Sequence, residues 1–225
     1  MSSEIVPRAG KDPAHETQFS AVFARALEGH PCAILRAGDE PTHLPVGEWI
    51  AEADASDRSL LAHCVGATLD VGCGPGRMTA MLTEIGHVAL GVDVVHEAIS
   101  LARGRGGTAI VRDVFDRVPG EECWESALLA DGNIGIGGDP VALLRRMREL
   151  LAPGGRVVVE LAPPGSGVHS WWVLESGGLR SRPFRWATVG AEVVAELAAE
   201  AGLEVAEAAH PHGSRWCAVL VAPSP

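Results

Sequence analysis

Basic residues are scarce in this chain. It has a single lysine, Lys11, and 18 Lys and Arg stand against 29 Asp and Glu, giving a formal net charge of −11 and a pI of about 5.2. A surface of that sign repels phosphate backbones, which argues against a nucleic-acid partner. No stretch approaches the ~20 apolar residues of a membrane span. The opening MSSEIVPRAGKDPAHE also lacks the apolar core of a signal peptide, so no membrane association is expected. Cysteine is thinly scattered at Cys32, Cys64, Cys73, Cys123 and Cys217, with no C-x-x-C pair. That pattern excludes a zinc site or disulfide framework and predicts reduced thiols in a cytoplasmic protein with no metal. The G-x-G-x-x-G spacing of dinucleotide enzymes is missing too, which disfavours an ordinary dehydrogenase.

What is present is organised around Thr68-Leu69-Asp70-Val71-Gly72-Cys73-Gly74-Pro75-Gly76-Arg77. A short apolar run ends in an acid, a turn with glycine at every second position follows, and a helix pattern begins. Such a unit forms the first half of a nucleotide-binding crevice. Glycine lets a ligand lie against the peptide planes, and amides at a helix start suit a carboxylate. Strands and helices then alternate, which predicts a parallel sheet covered on both faces. Strand ends deliver Asp70, Asp93, Asp113 and Asp131 in successive units, and ligands of such sheets bind at those ends. After a fifth strand, Arg156 to Leu161, comes a connection from Ala162 to Thr188. The helix from Ala191 to Ala201 and two closing strands, Leu203 to Ala208 and Trp216 to Val221, complete the pattern, the last pair as an antiparallel hairpin. Residues 1–59 read as an extension: a loose tail, a helix from His15 to Gly29 and a candidate hairpin around Gly38-Asp39-Glu40-Pro41. Ser56 or Asp57 is expected to cap a short helix from Arg58 to Cys64.

The acid–x–Gly–x–Gly–x–Gly core resembles motif I of the class I S-adenosylmethionine (SAM) methyltransferases, and the resemblance covers about residues 60–225. It implies an α/β fold: a Rossmann-like, seven-stranded, mostly parallel sheet with helices on both faces and the last strand antiparallel, preceded by the N-terminal extension. By resemblance, Gly72, Gly74 and Gly76 hold the methionine part of SAM, with Cys73 as a small filler beside it and Asp70 orienting the turn or the amino group. Asp93, followed by Val94, falls where the family grips both ribose hydroxyls; a carboxylate suits a diol because it only accepts hydrogen bonds. Asp113 and Val114 fall where the family reads the adenine amino group, and Asp131 with Gly132 at the methionine end facing substrate. In such enzymes an extension like 1–59 often covers the cofactor, and 162–188 would be a substrate-side insertion.

The implied reaction is direct displacement at the sulfonium methyl, yielding S-adenosylhomocysteine (SAH). Family members that act on nucleic-acid bases usually carry a Pro-Pro-aromatic segment after strand four. Here Asp131-Gly132-Asn133-Ile134-Gly135-Ile136-Gly137-Gly138-Asp139 stands instead, a glycine-rich turn open enough for a substrate to approach, so the expected acceptor is a small molecule. A hydroxyl oxygen is the expected attacking atom, in a specialised metabolite or sugar-containing compound. A hydroxyl benefits from a base; His169, in the long connection beside Trp171 and Trp172, is the first candidate. Asp131 and Glu160 are alternatives, and His210 and His212 stand further back. The tryptophans and Arg180, Arg182 and Arg185 of this connection suggest a lid or substrate wall. Two other activities fit the same motifs: an aminopropyl-type transferase, and a partner or sensor that binds SAM without turnover. Monomer and homodimer are both compatible with the sequence.

Overall fold

The computed structural model describes residues 16–36, 40–212 and 215–222. The chain begins with β1 (Glu16–Thr17), α1 (Phe19–Leu27), β2 (Cys32–Arg36), β3 (Thr42–His43), α2 (Val46–Ile50) and α3 (Ala55–Leu61). Phe23, Ala26 and Leu27 lie on the buried side of α1, the periodicity that makes it amphipathic. The capping residue of α3 is Asp54, not Ser56 or Asp57. Asp54 accepts the Asp57 amide at 2.8 Å while the Asp57 carboxylate accepts the Asp54 amide at 2.9 Å, a reciprocal capping box.

Next come β4 (Thr68–Val71), α4 (Arg77–Glu84), β5 (Ala89–Asp93), α5 (His96–Gly104), β6 (Ala109–Val111), β7 (Trp124–Leu129), α6 (Pro140–Leu150) and β8 (Leu151–Leu161). The Asp139 side chain caps α6 by accepting the Ala142 amide, with Pro140 in the first turn, where its missing N–H is harmless. The connection expected between Ala162 and Thr188 is a set of strands: β9 (Val168–Ser176), β10 (Leu179–Ser181) and β11 (Phe184–Thr188). The chain closes with α7 (Val194–Ala201), β12 (Glu204–His212) and β13 (Arg215–Val221).

Two sheets result. The seven-stranded sheet runs β12-β13-β8-β7-β4-β5-β6; only β13 is antiparallel to its neighbours. This is the Rossmann-like sheet that the alternation predicts. The order turns back at β4, whose neighbours are β5 and β7, so the crevice opens over the ends of these three strands. The second sheet joins segments far apart in sequence. Residues Cys32–Arg36 of β2 pair antiparallel with Trp172–Ser176 of β9, whose other edge carries β11 and β10. Helix α1 lies between this sheet and the larger one, with Phe23 and Ala26 in one apolar cluster with Leu174 of β9 and with Val95 and Ala98 at the start of α5. The N-terminal segment and residues 162–188 thus form one roof over the strand ends. No helix among the described residues is long and apolar enough to cross a membrane.

Candidate active site

A cavity of about 710 Å³ lies between the carboxyl ends of β4, β5 and β7 and the second sheet. Its floor includes Asp70, Gly72, Cys73, Gly74, Asp93, Val94, Asp113, Val114, Asp131 and Gly132, the residues marked out in the sequence. Gly76 is the exception. It begins α4 in a left-handed conformation (φ +84°), and a Cβ there would come 2.4 Å from the Ala102 Cβ, so this glycine lets α4 pack on α5. Gly74 (φ +52°) has open space where a Cβ would be, and that room faces the cavity.

The amides of the glycine turn are engaged within the protein. Those of Gly72 and Cys73 donate to the Val92 carbonyl at 2.9 and 3.1 Å, and that of Gly74 donates to the Asp93 Oδ2 at 2.9 Å. The turn therefore offers space rather than the free donors expected of it. Asp93 is fixed at the end of β5 by this bond and by the Val95 amide on its Oδ1 at 2.9 Å. Burial pushes its carboxyl up, and the backbone donors oppose that shift. Each oxygen keeps lone-pair capacity for a further donor. Asp113 is exposed and accepts the Phe115 amide at 3.0 Å, beside the buried Val114.

Asp70 is 1% exposed, and its Oδ2 accepts the Thr79 hydroxyl at 2.5 Å. Burial pushes it up to about 7, with the Thr79 hydrogen bond pulling the other way. It ties β4 to α4. The Cys73 thiol is pushed well above its ordinary range, first by burial and then by the charges of Asp70 and Asp93.

Asp131 has φ +52° and is followed by Gly132 at φ +78°. A left-handed aspartate costs about 1–2 kcal/mol, and three partners hold it. Its amide donates to Glu160 Oε2 at 2.6 Å, and Arg77 Nη2 donates to Oδ1 and Oδ2 at 2.8 and 2.7 Å. Arg215 also approaches it at 3.5 Å. Beyond Asp131 the ion pairs continue: Arg77 with Asp57, Arg215 with Asp57 at 2.9 Å, and Arg215 with Glu160 at 3.0 Å. Burial pulls the Arg77 guanidinium down, but Asp57 and Asp131 outweigh it and its affinity for the proton is raised. Burial raises the Glu160 carboxyl, and Arg215 opposes the shift. Three acids and two arginines thus form a connected network under the methionine end, and sequence reasoning missed Asp57, Arg77 and Arg215.

The Asp131 to Asp139 stretch borders the cavity, with open space at Gly132, and from Asn133 on it packs against the roof and the glycine turn. Asn133 Nδ2 donates to the carbonyls of Val71 and Gly72, both at 2.9 Å, and Ile136 bridges to Trp186 of β11. A Cβ on Gly135 would lie 2.0 Å from the Ala187 carbonyl, and one on Gly138 would lie 2.5 Å from the Arg185 Cβ. These glycines seat the roof on the floor. His169 is on β9 with its backbone opposite Ala187. The side chains of His169, His210 and His212 lie outside the described residues.

Residues 68–155 match the family model described as a methyltransferase domain. An uncharacterised protein of Mycobacterium tuberculosis is 31% identical over 128 residues, 57% of this chain and 42% of that protein; the chain thus spans about two fifths of that relative's length. The ubiquinone biosynthesis O-methyltransferase of Bordetella avium is 26% identical over 193 residues, 85% of this chain and 72% of the relative. Among solved structures, a SAM-dependent methyltransferase from Bacteroides fragilis, crystallised with S-adenosyl-L-homocysteine, has the same fold, with a TM-score of 0.77 at 20% identity over 97% of this chain and 98% of the other. Residues 68–155, which hold the glycine turn and the strand ends that line the cavity, are thus similar to a methyltransferase domain, and the fold around them is that of a SAM-dependent methyltransferase of known structure.

Proposed function

We propose that the protein transfers a methyl group from SAM to a hydroxyl oxygen of a small molecule and releases SAH. The observation that carries this reading is the Asp93 carboxylate, fixed at the end of β5 beside the open space at Gly74. Asp93 accepts from the ribose hydroxyls, and Asp113 and Val114 border the adenine. The methionine end lies over Arg77 and Asp131. There the network's three acids against two arginines leave one negative charge for an ammonium, and Arg77 sits near enough to the floor to meet a carboxylate. SAM, when bound, supplies a methyl group on a good leaving group, so the chain's own task is alignment and exclusion of water.

The roof built by α1, β2 and β9–β11 performs the exclusion. Of the candidate bases, Asp131 is held by Arg77 and acts by position and charge; His169 is the one we carry forward as the base. The Bordetella avium relative's description as an O-methyltransferase supports an oxygen acceptor.

The reading is tested by titrating SAH into the protein by calorimetry and by following methyl-labelled SAM against a metabolite extract. Saturable SAH binding with label appearing in a small-molecule product is expected. Label from the aminopropyl carbons, or tight binding with no transfer, would replace this activity with another. His169→Ala is expected to slow transfer at unchanged SAH affinity; an unchanged rate would remove His169 as the base.

A further inference from the structure

Aromatic residues are few in this chain: six tryptophans, four phenylalanines and no tyrosine. Seven of these ten line the one cavity described above, including all four phenylalanines. The large core under the main sheet is aliphatic apart from Trp124 and the flanking Trp216. The rings gather on the roof. Trp172 and Trp186 stack at 5.6 Å between centroids, Phe184 stands edge-on to Trp186 at 6.4 Å, and Phe19 meets Phe184 edge-on at 5.0 Å. Phe23 and Trp49 extend the surface, 5.9 Å apart. They come from α1, α2, β9 and β11, so both halves of the roof contribute.

This wall selects by chemistry. Without tyrosine, its rings offer no hydroxyl, and their only polar groups are indole N–H donors. A sugar placed there would leave most of its hydroxyls without partners, each a penalty on burial. A cationic ring would meet the Arg36 guanidinium, which already lies 4.8 Å from the Trp172 ring centroid. The floor carries both signs, with Asp93, Asp113 and Asp131 beside Arg77, Arg112 and Arg185, so it gives an anionic ring no net advantage over a neutral one. Flat, uncharged rings are what such a wall stacks against and meets edge-on.

Resting on the methyltransferase reading above, we infer that the acceptor is a neutral, flat aromatic compound carrying the accepting hydroxyl on its ring, bound against the roof by Trp172, Phe184 and Trp186. This narrows the acceptor to a phenol-type ring and moves it away from a sugar.

The test uses the full chain saturated with SAH, whose own binding is measured first by calorimetry. Three probes are compared by saturation-transfer NMR: 2-naphthol, methyl glucoside and protonated tryptamine. 2-Naphthol is expected to bind at least about tenfold more tightly than the other two, and Trp172→Leu to weaken it about tenfold while SAH affinity stays within about twofold. Phe184→Leu, a milder change, is expected to weaken it by a few-fold and serves should Trp172→Leu fail to fold. Glucoside or tryptamine binding as tightly as 2-naphthol would overturn the inference. So would SAH-saturated protein that binds none of the three, since the rings would then cover the cofactor alone. Absence of SAH binding itself would instead bring down the underlying reading, and this inference with it.

Discussion

Arg77 joins Asp57 of the N-terminal segment to Asp131 at the end of β7: one guanidinium nitrogen pairs with the Asp57 carboxylate and the other donates to both oxygens of Asp131. Both Arg77 and Asp57 are buried, at 6% and 1% exposure. Removing one partner of a buried pair leaves a charge uncompensated, which typically costs about 3–5 kcal/mol. Arg77→Met should therefore lower stability to urea by that order, and adding Asp57→Asn should recover part of the loss. Additive losses in the two single variants and the double variant would mean that the pair is not coupled.

Asp93→Ala removes a charged acceptor for two ribose hydroxyls. Hydrogen bonds to charged groups contribute about 1.5–3 kcal/mol each, so SAH affinity should fall by roughly tenfold or more. Calorimetric titration checks this, and an affinity unchanged from wild type would remove Asp93 from the cofactor site.

Gly74 and Gly76 should respond differently to the same substitution. Gly76→Ala forces a Cβ to within 2.4 Å of the Ala102 Cβ at φ +84°, and strain and overpacking together should cost roughly 2–5 kcal/mol. Gly74→Ala meets open space, so only its backbone strain of about 1–2 kcal/mol applies, but its new methyl enters the cavity. Urea melts and SAH titrations should therefore separate the two: Gly76→Ala is mainly a stability variant and Gly74→Ala mainly an affinity variant.

Asp70 makes folding pH-dependent. Its folded-state carboxyl is raised from 3.8 to about 7 by burial, so between those values the folded chain holds a proton that the unfolded chain has released. The associated stability is complete below about pH 4, declines as pH rises toward 7, and is gone above it. Asp70→Asn keeps an acceptor for Thr79 and carries no titrating charge. The variant's stability relative to wild type should rise between pH 4 and 7 and level off above, by a few kcal/mol at most. A difference independent of pH would show that Asp70 is not protonated in the folded state.

The main sheet was legible because its signals are local. Asp139 and Pro140 mark a helix start, Gly86 a helix stop, and the strand-end acids are each set by a few neighbouring residues. The roof was not legible as strands, because β9 finds its partners in β2 and β11 and no local pattern in 162–188 records a pairing with Cys32–Arg36. The position-by-position similarity of Gly72, Gly74 and Gly76 likewise hid a division of labour, since only the packing of Ala102 shows that Gly76 belongs to the α4–α5 contact. Asp57 and Arg215 were missed for the same reason: Asp57 pairs with Arg77 and Arg215, and Arg215 with Asp57 and Glu160, all far apart along the chain.

The pairing of Cys32–Arg36 with Trp172–Ser176 also bears on how the polypeptide emerges from the ribosome. At synthesis rates of ~5–20 residues per second, β2 precedes its neighbour by roughly 7–30 s. Phe19 meanwhile has no Phe184 ring to meet, so the nascent N-terminal segment carries an unshielded greasy surface that chaperones can grip until the second half of its sheet arrives.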